Sequence, residues 1–161
     1  MTAIALRQFT TVNSGGASET AGFVAEQIQK WRRQLQSSYA LGQQAKGSFH
    51  ELYQVFEECR QANWDGFGAV PASVRVFQLA YEFLEALPLG TAAPSIGAEP
   101  DGHITLDWYH SPRHTLSISV SPEGELHYAA LIGASKAYGT EPFFGEVPKE
   151  IMDLIRRVTF A

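Results

Sequence analysis

Cysteine is all but missing from this chain of 161 residues. Cys59 is the only one, so no internal disulfide can form, and a reducing compartment is expected. Long apolar runs are also missing: nothing approaches the roughly 20 residues of a membrane-spanning helix. The opening Met1–Arg7 has neither the basic region nor the apolar stretch of a secretory signal, which points to a cytoplasmic protein without a membrane partner. Charged residues make up only 18% against 45% hydrophobic, a balance that excludes a wholly disordered chain. A net charge of −5 argues against whole-surface binding to nucleic acid, which works by displacing counterions from phosphate. The charge is uneven, because Arg7, Lys30, Arg32, Arg33 and Lys46 face only Glu19 and Glu26 in residues 1–46, whereas the remainder is acidic.

What is present has two periods. After the flexible Asn13–Ala17 stretch, Val24, Ile28, Trp31 and Leu35 fall on one helical stripe. Ser48 and Glu51 form a capping-box pattern ahead of a second helix with Phe49, Leu52, Phe56 and Cys59 inward. A third helix is expected from Ser73, with Val76, Ala80, Phe83, Leu84 and Leu87 inward, and a last one after Pro148 with Ile151, Leu154, Ile155 and Val158 inward. Between them the period changes to two. Ile104, Leu106 and Trp108, then Leu116, Ile118 and Val120, then Leu126, Tyr128, Ala130 and Ile132 alternate as in strands with one buried face.

Pro100-Asp101-Gly102 and Pro122-Glu123-Gly124 read as three-residue hairpin loops ending in a left-handed glycine. The connection from Tyr109 to Thr115 reads as longer and mobile. Together these features predict an α+β domain over residues 47–161, with helices 48–62, 73–87 and 148–158. Its sheet is an antiparallel meander of four strands, 95–99, 103–109, 115–121 and 125–132, with a fifth near Ala137–Tyr138. Helices cover the apolar face, and residues 1–46 form an N-terminal helical arm. The opposite face carries Ser95, Asp107, Ser117 and Ala129 in one row, and Gly97, Thr105, Ser119 and His127 in the next.

The candidate catalytic residues His127, Ser119 and Asp107 lie on that face. With strands ~4.8 Å apart, Asp107 stands about 10 Å from His127 at the backbone, too far to orient it as a triad requires. Small-residue pairs on an exposed face also serve as cross-strand hydrogen bonds. His103, His110, His114 and His127 come with Asp101 and Asp107 but without HExxH, CxxC or His-x-His spacing. The register separates His103 from His127 by two strands and a row, so they read as surface histidines, and neither metal nor cofactor is expected. Cys59 reads as core. Gly66-Phe67-Gly68 lacks the lysine and hydroxyl of a phosphate loop. The candidate partner-binding residues are Trp31, Arg32 and Arg33 on the arm and Trp64 and Phe67 in the loop, since exposed aromatics and arginines anchor interfaces. For Trp64, plugging the joint between helix and sheet is the plainer role.

Asn63-Trp64-Asp65-Gly66-Phe67-Gly68-Ala69, followed by Pro71, Leu87-Pro88, Pro100-Asp101-Gly102, Trp108-Tyr109 and Gly139–Phe143, resembles a family of small bacterial proteins. That family shares an Asn-Trp-Asp-Gly-aromatic-Gly-Ala motif before a helix and a meander. The likeness spans residues 61–158. It implies a bacterial, cytoplasmic accessory protein and transfers no catalytic residue. The expected function is therefore non-enzymatic binding or regulation, through a protein partner or self-association. The alternatives are a small hydrolase or nuclease using His127, Ser119 and Asp107 with His110 and His114, and weak nucleic-acid binding through Lys30, Arg32 and Arg33.

Overall fold

A computed structural model describes residues 46–160. They belong to one compact unit. The expected arm up to residue 45, with Trp31, Arg32 and Arg33, lies outside the described residues.

The architecture is α+β. Helix α1 runs through 46–59 and α2 through Val74–Ala86. The strands β1 (Ser95–Ala98), β2 (Ile104–Ser111), β3 (His114–Val120), β4 (Glu125–Ile132) and β5 (Ser135–Pro142) follow, and α3 (Lys149–Thr159) ends the order. The strands form one antiparallel sheet in sequence order. The expected pairing holds, with Ala98 opposite Ile104, Ile104 opposite Val120, and Val120 opposite Leu126. Even-numbered residues of β1–β4 therefore share the covered face, where Ile104, Leu106, Ile118, Val120 and Leu126 have no exposed surface. Helix α3 lies against β2, β3 and β4, and α2 against β2 and β3. No described helix is long and apolar enough to cross a membrane.

Local chemistry explains α2 and α3. Ser73 Oγ accepts from Val76 N at 3.2 Å, satisfying a donor that the first turn of α2 leaves free. Val76, Leu79, Ala80, Phe83 and Leu84 then make its buried stripe. In α3, Ile151, Leu154, Ile155 and Val158 are buried, while Glu150 in the first turn and Arg156 and Arg157 in the last complement the helix dipole. Full burial of such aliphatic side chains is worth about 1.5–3 kcal/mol each, which is what holds α3 on the sheet.

Three expectations need correction. The fifth strand is a full eight residues, joined to β4 by Gly133–Ala134. Its covered face carries Ala137 and Gly139 where larger apolar residues would have marked a strand. Gly139 is small because Tyr128 fills its place: a Cβ there would sit 2.7 Å from the Tyr128 hydroxyl. Next, the long mobile connection between β2 and β3 does not exist. β2 continues to Ser111, which pairs with His114, and the register shifts between Tyr109 and Ser111, leaving His110 as a bulge. The tip is tied down, since Gly133 N donates to Arg113 O at 2.8 Å. Finally, α1 is already helical at 46, upstream of the expected cap at Ser48. Glu51 turns to the sheet instead, its Oε1 accepting from Ile96 N on edge strand β1 at 2.9 Å.

Candidate functional site

The face of the sheet away from the helices carries the odd-numbered residues of β1–β4 and the even-numbered residues of β5, because Ala129 pairs with Tyr138 and His127 with Thr140. Its two ends differ in chemistry. At the end of the β1–β2 and β3–β4 turns, polar and titratable groups converge. His103 Nδ1 and Ser119 Oγ hydrogen-bond at 3.0 Å, and Asp101 Oδ2 stands 3.7 Å from the same nitrogen. His127 Nδ1 bonds Thr140 Oγ1 at 2.8 Å, and its Nε2 faces Glu125 Oε2 at 3.8 Å. The two imidazoles stack, 5.8 Å between centroids and 10° between planes. Ligand atoms of Glu99, Asp101 and His103 lie within 4.8 Å of one another.

This corrects the expectation that His103 and His127 stand apart. Their backbones do sit two strands and one row apart, but the rings lean toward each other over Ser119 and meet. Register places Cα atoms, and imidazoles are long enough to close a diagonal gap of that kind. The signal in the sequence was the pairing arithmetic together with side-chain length.

The predicted catalytic set is distributed differently. Ser119 bonds His103, His127 bonds Thr140, and Asp107 belongs to the other end of the face. A triad sets the hydroxyl and the carboxylate on opposite ring nitrogens. Ser119 and Asp101 both approach Nδ1 of His103, which is no relay. Thr140 and Glu125 do flank opposite nitrogens of His127, but 3.8 Å is beyond hydrogen-bond length. Of the loop histidines, His114 bonds Ser111 at 3.0 Å and lies edge-on to His110, with centroids 6.2 Å apart. Burial pushes the Cys59 thiol above its usual range, and the neighbouring Glu58 charge adds to this, so it is a poor nucleophile.

The opposite end of the face holds a shallow groove of ≈ 460 Å³. Thr115, Ser117, Ala129 and Leu131 contribute to its lining, with Asp107 and Lys136 also bordering it. Tyr109 and Tyr138 line it as well, 69% and 82% exposed. Small side chains in the middle strands leave the hollow, and the tyrosines on β2 and β5 wall it. Sequence reading missed this groove because Tyr138 sat on a strand that was not fully recognised.

The Asn63–Ala69 motif closes on itself. Asn63 adopts φ +61 and its Oδ1 accepts from Gly68 N at 2.7 Å. Asp65 Oδ1 accepts from Phe67 N at 2.8 Å and from Ala69 N at 3.1 Å. Trp64 packs against the core and donates Nε1–H to Val70 O at 3.2 Å, so its ring serves the loop. The Phe67 ring, by contrast, is 95% exposed. No protein-family model, curated protein or solved structure matches the chain significantly.

Proposed function

We propose that this is a non-enzymatic binding protein that acts by self-association, two copies joining their sheets edge to edge along β5. The outer edge of β5 carries the reading. Phe143 N donates to Gly124 O at 2.9 Å, so by antiparallel alternation residues 135, 137, 139 and 141 direct their backbone groups to β4. Lys136, Tyr138 and Thr140 then direct theirs outward, where no further strand is paired among the described residues. An edge of this length with free donors and acceptors is a template for another strand.

A second copy of β5 fits that template. With a two-fold axis at Tyr138, Tyr138 faces its own counterpart and Lys136 faces Thr140, so each outward N–H meets a carbonyl and no like charges oppose. Pro142, which cannot donate, falls opposite Ala134 in the turn, outside the paired stretch. Lys136 and Pro142 thus blunt the ends of the edge and leave its centre open. Each Tyr138 ring arrives beside the groove of the other copy, where aromatic side chains anchor interfaces. The resemblance carried by Asn63–Ala69 supports a bacterial, cytoplasmic accessory protein as the setting.

Size-exclusion with light scattering on the full chain at micromolar concentration tests the reading. A dimer is expected for the wild type and for Tyr138→Phe. Tyr138→Pro removes the central outward N–H without touching the β4 ladder, and should be monomeric with an unchanged far-UV spectrum. A monomeric wild type, or a Tyr138→Pro protein as dimeric as the wild type, refutes it.

A further inference from the structure

We infer that the β1–β2 turn is a binding site for a divalent transition-metal ion of the zinc type, held by Glu99, Asp101 and His103. This stands independently of association through β5. The three residues offer two carboxylates and one imidazole, with ligand atoms all within 4.8 Å of one another. For bonds of about 2.1 Å, two ligands of a tetrahedral ion stand roughly 3.4 Å apart. Asp101 Oδ2 and His103 Nδ1 are already at 3.7 Å, so a small rotation of each side chain completes that edge. The imidazole selects Zn²⁺ over Mg²⁺ or Ca²⁺, which take oxygen ligands.

The surroundings hold these donors in place from several distant segments. The His103 ring is stacked on His127, and its side chain is only 20% exposed. The turn itself is anchored from outside the sheet, because Val70 N donates to Pro100 O at 2.8 Å. Asp101 is fixed from within, its Oδ1 accepting from His103 N at 3.2 Å and leaving Oδ2 to face the ring. His127 and Ser119 act on this site in opposite senses. The stack with His127 orients the ligand ring. Ser119 shares Nδ1 with the ion, so it competes.

Titration of the full, metal-free chain with zinc chloride, followed by calorimetry, is expected to show one ion per chain. Co²⁺ in place of Zn²⁺ should give the visible absorption of a tetrahedral site. Loss of an outer-shell partner costs roughly 10–100-fold in metal affinity, and loss of a ligand costs more, so His103→Ala and Asp101→Asn should each weaken binding beyond tenfold. Ser119→Ala should tighten it about two- to tenfold by removing the competing hydrogen bond, an effect that a merely structural role for Ser119 would not produce. His110→Ala with His114→Ala should leave the affinity unchanged. Far-UV spectra and thermal melts confirm that each variant is folded. Absence of binding in the wild type, retention of it in His103→Ala, or its loss in the His110/His114 variant overturns the assignment.

Discussion

The two Pro-acid-Gly turns allow a controlled experiment on what docks the sheet to the helical segment. Gly102 and Gly124 occupy the same place in the same kind of turn, with φ of +88° and +91°. Each donates back across its loop, Gly102 N to Glu99 O at 3.0 Å and Gly124 N to Ser121 O at 3.1 Å. Replacing either by alanine forces a side chain into the left-handed region, at roughly 1–2 kcal/mol. Each also narrows the unfolded ensemble equally, an effect that cancels between them. Only the surroundings differ. A Cβ on Gly102 would stand 3.2 Å from Pro71 O and 3.4 Å from Val70 Cγ1, whereas one on Gly124 would meet nothing nearer than Phe143 O at 4.0 Å. The Val70–Pro71 segment cannot withdraw without stretching its bond to Pro100 O, worth about 0.5–1.5 kcal/mol. Gly102→Ala should therefore cost about 1 kcal/mol more than Gly124→Ala. Urea unfolding with a shared m-value measures both. Equal costs, or a larger one at Gly124, would show that the turn does not bear on Val70–Pro71.

Other outcomes follow from the same structure. Phe83 is fully buried with its ring 5.7 Å from that of Phe143, so Phe83→Ala should cost about 3–5 kcal/mol in denaturant unfolding. Ser73→Ala removes the cap of α2 and should cost about 1 kcal/mol by the same measurement. Gly139→Ala must displace the Tyr128 ring, which should destabilise by about 1–3 kcal/mol and alter the near-UV tyrosine spectrum while the far-UV spectrum holds. Burial raises the Cys59 pKa, so the folded state keeps its thiol proton where the unfolded chain has lost it. The unfolded state then binds fewer protons, and stability falls as pH rises above about 8.5, through the raised folded value. Cys59→Ala should show a shallower decline across that range.

The sheet was legible because its signals are local. Alternation at Ile104–Trp108 and Leu116–Val120, with a glycine ending each three-residue loop, sets both register and buried face within a dozen residues. The stripes of α2 and α3 were legible for the same reason. The fifth strand was legible near Ala137–Tyr138 but not in its full length, because Gly139 leaves room for Tyr128 on the neighbouring strand and so breaks the apolar alternation. The capping-box reading of Glu51 failed similarly, since Ile96, a distant residue, takes up that carboxylate.

At the candidate sites the division is sharper. The amino-acid order by itself determined that His103, Ser119 and His127 share one face, and that Asp101 follows Glu99 in the same turn. Only tertiary structure decided that the two imidazoles stack, that Val70 pins the turn carrying the carboxylates, and that among the described residues β5 is the last strand of the sheet. Period and turn chemistry act between neighbours in the chain. The reach of a side chain and the exposure of an edge are settled by packing against segments far away in sequence.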